Sequence, residues 1–183
     1  YVLFISASKI FSYAGQRIAV VVMSEKVFNT NTPDLEKRYA IKGFGNAVVY
    51  RVLYALSSGV AHSVQYAMAA MLKGANDGSF NFVEEVRSYG EKAHTMKQLF
   101  TDNGFNILYD MDVDQPIADG FYFTVEYPGM AAGELLRELL CYGISAITLL
   151  STGSEMEGLR ACVAPVLTNQ FGDLEQRLKL FHA

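Results

Sequence analysis

The chain has no tryptophan, and in 183 residues only two cysteines, four prolines and three histidines. Cys141 and Cys162 sit among apolar residues without Cys-x-x-Cys spacing. That arrangement argues against a disulfide framework and predicts buried, reduced thiols in a cytoplasmic protein. His94 and His182 have no cysteine or acidic partner at ligand spacing, so no metal is assigned. Charged residues make up only 19%, the net charge is −4 and no basic stripe is present, which argues against a nucleic-acid partner. No apolar run reaches the roughly 18 residues of a membrane span. The longest uncharged stretch, between Arg51 and Lys73, is interrupted by Ser57, Ser58, His62, Ser63 and Gln65. No signal-peptide pattern opens the chain.

What is abundant is apolar surface. Hydrophobic residues reach 51%, above the usual range of about 45–50%. Residues 47–71 are apolar with helical spacing and read as two helices broken at Ser57-Ser58-Gly59. The run Gly74-Ala75-Asn76-Asp77-Gly78 is a strong breaker and marks the expected domain boundary, dividing the chain into 1–75 and 76–183. Residues 81–103 return to helical periodicity through Phe82, Val86, Tyr89, His94, Met96 and Leu99, and Asn103-Gly104 forms a C-cap. Met68, Met71 and Met96 are read as core filler. Residues 105–109 and 121–126 read as strands joined by an acidic loop, 110–119. Asp110, Asp112, Asp114 and Asp119 break the EF-hand order, so the loop is read as solvated. Gly43-Phe44-Gly45 lacks a third glycine and gives no nucleotide signature. Residues 29–45 read as a surface helix or an inserted loop.

The most informative segment is Ser6-Ala7-Ser8-Lys9, with Gly15 and Arg17 following. It is preceded by the apolar run 1–5, read as a buried strand, and followed by a second run, 18–22. An amine that forms a Schiff base must be unprotonated, whereas a free lysine with a pKa of about 10.4 is ammonium at neutral pH. Burial or a neighbouring cation such as Arg17 releases the amine. A guanidinium offers a rigid donor fork to a phosphate, and the hydroxyls of Ser6 and Ser8 add donors.

The segment SASKIFSYAGQR resembles the lysine segment of fold-type I pyridoxal-phosphate enzymes, the aminotransferase class I/II family: Ser-x-Ser-Lys, a short variable stretch, Gly-x-Arg, then an apolar strand. A second match follows in order. Gly120-Phe121-Tyr122 opens a strand, an amphipathic helix covers 131–142, Gly143-Ile144 turns, and a strand bears Arg160. Residues 63–70 are similar to that family's glutamine-anchored helix, through Gln65, although Ala61-His62 replaces the usual proline; His62 is read as a capping or packing residue.

The resemblance implies an α/β fold, the C-terminal portion of a fold-type I transferase: the end of the large domain (1–75), then a small α+β domain (76–183) with a short sheet covered by helices. It implies pyridoxal 5′-phosphate as cofactor, carried on Lys9 with Ser6, Ser8 and Arg17 on its phosphate, and Arg160 on the substrate's α-carboxylate. The alternative for Arg160 is an ion pair with Glu155 or Glu157, or a place facing water. The implied activity is amino-group transfer between an amino acid and a 2-oxo acid, in a homodimer. A lyase or an α-oxoamine synthase of the same fold would use the same lysine.

Length argues for a fragment. Family members are considerably longer, and their cofactor lysine lies past the middle, whereas here it is residue 9. The cofactor-stacking aromatic and the aspartate for the pyridine nitrogen have no counterpart, so the chain alone is expected to be inactive. The two opening strands would lack sheet neighbours, which predicts association. A non-catalytic α/β binding or interaction domain is the competing reading.

Overall fold

The computed structural model describes residues 1–117 and 120–183. The chain forms two compact units, Tyr1–Val86 and Arg87–Ala183.

The first unit opens with an antiparallel ribbon. β1 (Val2–Ser6) pairs with β2 (Ala19–Met23) from Val2 opposite Met23 to Ser6 opposite Ala19. The connection between them carries α1 (Ala7–Ile10) and a single 3₁₀ turn at Ala14–Gln16. The expectation of a buried first strand fails: Phe4 is 72% exposed and Leu3 50% exposed. Apolar content announces the strand, but among the described residues β1 pairs with one strand alone, and those side chains stay exposed. Exposed Tyr1, Leu3 and Phe4 match the expectation of an unpartnered apolar edge.

Two short helices follow, α2 (Glu25–Phe28) and α3 (Pro33–Tyr39). The segment left open between helix and loop is thus partly helical. Thr32 caps α3, its hydroxyl accepting from the Leu35 N–H at 3.2 Å, and Pro33 occupies the first turn where no N–H is needed. α4 (Phe44–Ala47) and α5 (Tyr54–Ser57) are joined without interruption by a π-helical stretch, Val48–Leu53, and the run ends where Ser58 turns left-handed. Gly45 is set by packing, since a Cβ there would fall 2.0 Å from the Phe28 ring.

α6 (His62–Asp77) follows. His62 opens it but is exposed, and the N-terminal turn is tied instead by Gln65, which donates to the Val60 carbonyl at 2.8 Å. The helix runs straight through Gly74, so the expected break narrows to Gly78, which is left-handed. Val64 and Met68 of α6 bury Ala7 and Ile18, with Phe11, Tyr13, Val20 and Met71 around them. This cluster seats both ends of the β1–β2 connection on a helix.

α7 (Phe82–Thr101) contains the division between the units. In the second unit, β3 (Asn106–Leu108) leads to a small ribbon, β4 (Met111–Asp112) with β5 (Gln115–Pro116). The acidic loop is thus partly ordered as one strand pair too short to show a period, and Asp119 lies outside the described residues. β6 (Tyr122–Glu126), α8 (Ala132–Cys141), β7 (Ile147–Thr148), β8 (Leu159–Cys162) and α9 (Phe171–His182) complete it. The sheet is antiparallel in the order β3-β6-β8-β7.

Its core joins Met96 and Phe100 of α7, Leu135 and Leu139 of α8, Leu178 of α9, and Phe123, Val125, Leu159, Ala161 and Val163 from the sheet segment. Each large side chain so buried contributes about 1.5–3 kcal/mol. His94, counted in the helical period of 81–103, is exposed, and Ala93 beside it is buried. Cys141 is exposed and Cys162 half-buried; both are free thiols, which corrects the expectation of two buried ones. Among the described residues, no helix is long and apolar enough to cross a membrane, and no group of metal-ligating side chains occurs.

Candidate functional site

Ser6, Ser8, Lys9 and Arg17 belong to one short connection. Antiparallel pairing brings its two ends together, and the Ala7 N–H donates to the Ile18 carbonyl at 3.2 Å. Ser6 keeps an extended backbone as N-cap of α1, and its Oγ accepts from the Ser8 N–H at 3.3 Å. That bond uses a lone pair of the hydroxyl and leaves its proton to donate. Inside the loop, Phe11 and Tyr13 both donate backbone N–H groups to the Ala7 carbonyl, at 3.2 and 3.1 Å. Ala7 is fully buried, so this hub is fixed while Ser6, Lys9 and Arg17 remain exposed.

Arg17 has φ 54°, ψ 50°, a left-handed backbone. For a residue with a Cβ this conformation costs on the order of 1 kcal/mol, and such strain collects at functional positions. One guanidinium nitrogen, Nη1, donates to the Ala14 carbonyl at 2.9 Å. Gly15, by contrast, has an ordinary φ and open space where a Cβ would stand. Lys9 and Arg17 are the only charged side chains in residues 1–24, since the first acidic residue is Glu25. The connection therefore presents one amine, one guanidinium and hydroxyls with no carboxylate among them. Such a donor set fits a phosphate together with an aldehyde: the fork for the dianion, the amine for the carbonyl carbon.

Arg160 is described within its own unit. It lies on β8, opposite Thr124 of β6 on one side and Ile147 of β7 on the other. Strand alternation sends Leu159 and Ala161 into the core and leaves Arg160 and Cys162 half-buried on the opposite face. The guanidinium carbon stands 4.5 Å from the centroid of the Tyr122 ring. Neither acid offered as its partner takes it. Glu157 accepts from the Ala132 N–H at 2.7 Å, and no ion pair or hydrogen bond of the Arg160 guanidinium occurs among the described residues. Arg160 lines a cavity of about 430 Å³ together with Tyr122, Cys162, Ile144, Val166 and Arg177. Arg177 is engaged there, donating to the carbonyls of Tyr142 and Gly143 at 3.4 and 2.8 Å.

Tyr122 is the residue that sequence reasoning missed. In the sequence it is visible only as part of a strand. Its relation to Arg160 follows from the β6–β8 register, in which Cys162 faces Tyr122 and Arg160 sits two residues along on the same face.

No protein-family model matches the sequence, and no curated protein matches it. Among solved structures, the chain is similar to LysN, an α-aminoadipate aminotransferase from Thermus thermophilus, crystallised with N-(5′-phosphopyridoxyl)-L-leucine. The TM-score is 0.64 at 18% identity, over 99% of this chain and 40% of that one. This chain thus spans about two fifths of the length of the enzyme it matches. An identity this low speaks for fold alone. The fold is α/β with short sheets covered by helices, similar to a portion of that fold-type I enzyme.

Proposed function

We propose that the chain is the C-terminal part of a pyridoxal-phosphate-dependent aminotransferase, moving an amino group between an amino acid and a 2-oxo acid. The observation that carries this reading is the β1–β2 connection, where Lys9, Ser6, Ser8 and a left-handed Arg17 share one acid-free loop. The fold supports it, because the solved structure it resembles is an aminotransferase crystallised with a phosphopyridoxyl amino acid. In this reading residues 1–75 close the large domain, residues 76–183 form the small one, and the intact protein is a homodimer.

When bound, pyridoxal phosphate supplies an electron sink for charge developing at the substrate's Cα. The protein's own groups do the rest. Lys9 would hold the cofactor through Nζ, and that nitrogen, when free, would take the proton from the substrate's Cα as general base and deliver it to the cofactor's C4′ carbon as general acid. Arg17 would hold the phosphate with the guanidinium donors that Ala14 does not use, and the hydroxyls of Ser6 and Ser8 would add further donors. Arg160 would receive the substrate's α-carboxylate, with its guanidinium fork matched to the two carboxylate oxygens.

The test is chemical trapping in the intact protein that contains this chain. Borohydride treatment in the presence of the cofactor should place a pyridoxyl mass on the peptide containing Lys9, and Lys9→Ala should abolish it together with the visible band of the bound cofactor. An adduct that survives in Lys9→Ala overturns the assignment.

A further inference from the structure

A half-buried guanidinium needs something to hold it, and an acid that did so would compete with any incoming anion. Arg160 resolves this in an uncommon way. Glu157 is drawn off to the first N–H of α8, and the guanidinium rests instead over an aromatic face, 4.5 Å from the Tyr122 centroid. A ring quadrupole attracts a cation without accepting its N–H groups. The edge donors of the fork are thus left for a ligand while the group is held in place. Tyr122 is itself anchored in β6, which is paired on both sides, to β3 and to β8. Tyr122 and Arg160 line the same cavity, so the pair adjoins space a ligand can enter.

We infer that Tyr122 is a positioning residue for carboxylate binding: its ring orients Arg160 and keeps the guanidinium fork free to receive a carboxylate. The inference rests on the reading of Arg160 given above and adds the residue through which that site is preorganised. The cation–ring contact uses only the aromatic face, so phenylalanine should replace tyrosine in it, and tryptophan should serve at least as well because its face attracts cations most strongly.

The experiment uses the intact protein with propionate as a non-reactive carboxylate probe. The first readout is the NMR resonance of the Arg160 Nε–H group, assigned through Arg160→Lys. Ring current from Tyr122 should displace it, and the displacement should persist in Tyr122→Phe and vanish in Tyr122→Leu. The second is propionate affinity, expected within about twofold of wild type in Tyr122→Phe and roughly three- to tenfold weaker in Tyr122→Leu. A wild-type resonance without ring-current displacement overturns the inference without recourse to any variant, so a Tyr122→Leu protein that fails to fold does not protect it. Equal weakening in Phe and Leu variants also overturns it, by assigning the effect to the hydroxyl. The two readings fail separately. Absence of cofactor trapping at Lys9 sinks the aminotransferase reading and leaves these measurements standing. If Arg160→Lys weakens propionate binding and Tyr122→Leu does not, this inference falls and the carboxylate role of Arg160 remains.

Discussion

Glu157 accepts a hydrogen bond from the backbone N–H of Ala132 at 2.7 Å, across 25 residues of sequence. Ala132 is the first residue of α8, and Ala131 at the N-cap has no side chain able to cap it. The helix therefore borrows its cap from the loop before β8, and a carboxylate at this end also meets the favourable end of the helix dipole. Ala132 is buried, so its N–H cannot turn to water when the acceptor is removed.

Glu157→Ala should cost about 1–2 kcal/mol. For a unit of this size that corresponds to a fall of roughly 4–8 °C in Tm per kcal/mol, measured by thermal unfolding. Glu157→Gln keeps an acceptor and should lose less. A Tm unchanged in the alanine variant would show that the bond contributes nothing to the fold.

Arg17→Gly should separate stability from function. Glycine adopts a left-handed backbone freely, so chemical denaturation should show a stability equal to wild type or higher by up to about 1 kcal/mol. Cofactor affinity in the intact protein should fall at least roughly tenfold, because charge-assisted bonds to the phosphate are lost. Arg17→Lys, which keeps the charge without the fork, should fall between. If the glycine variant binds the cofactor normally, Arg17 is not a phosphate ligand.

The elements most legible in the sequence are those whose residues face two different environments. β6, α8 and β8 announce themselves because Phe123 and Val125, Leu135 and Leu139, and Leu159 and Ala161 fall on the buried side at the period of their element. β1 is legible as a strand but not as an exposed one, since burial depends on what lies beside Phe4 rather than on Phe4 itself. α3 could have been found from Thr32-Pro33, a cap followed by a residue suited to the first turn. The two-residue strands β4 and β5 have no period to read. At the site, Lys9 and Arg17 stand out by spacing, while Tyr122 requires the strand register, a long-range property that no local pattern encodes.

Asp77 and Ser79 give a pH-dependent handle on the end of α6. The Ser79 hydroxyl donates to Asp77 Oδ1 at 2.6 Å and its backbone N–H at 3.0 Å, and these bonds hold the carboxyl below its ordinary value of 3.8. A folded-state pKa depressed in this way contributes stability that is present above the unfolded value and lost as pH falls through the folded one. Ser79→Ala removes the larger cause, so the Asp77 carboxyl should titrate nearer 3.8 when followed by NMR. The difference in stability between the two proteins should vanish in acid below the folded titration. A titration unmoved by the substitution would refute the Ser79 contribution.

Gly158→Ala tests how tightly β8 is laid against β6. A Cβ at residue 158 would stand 2.6 Å from Leu108 Cδ1 and 2.8 Å from the Val125 carbonyl oxygen. The leucine tip could turn aside, but the carbonyl is backbone in the middle of the sheet and cannot move without disturbing the ladder. The Gly158 carbonyl is itself committed, accepting from the Leu149 N–H at 2.8 Å. Overpacking of this kind costs about 1–3 kcal/mol. Because Arg160 lies two residues further on, the displacement should also disturb its stacking on Tyr122. The expected result is a lowered Tm together with a weakened ring-current displacement of the Arg160 resonance. Gly153→Ala provides the contrast: it meets no neighbour but is strained by its φ of 88°, so it should lower stability while leaving that resonance in place. A Gly158→Ala protein with wild-type Tm and an unmoved resonance would mean that β8 has slack the close packing does not show.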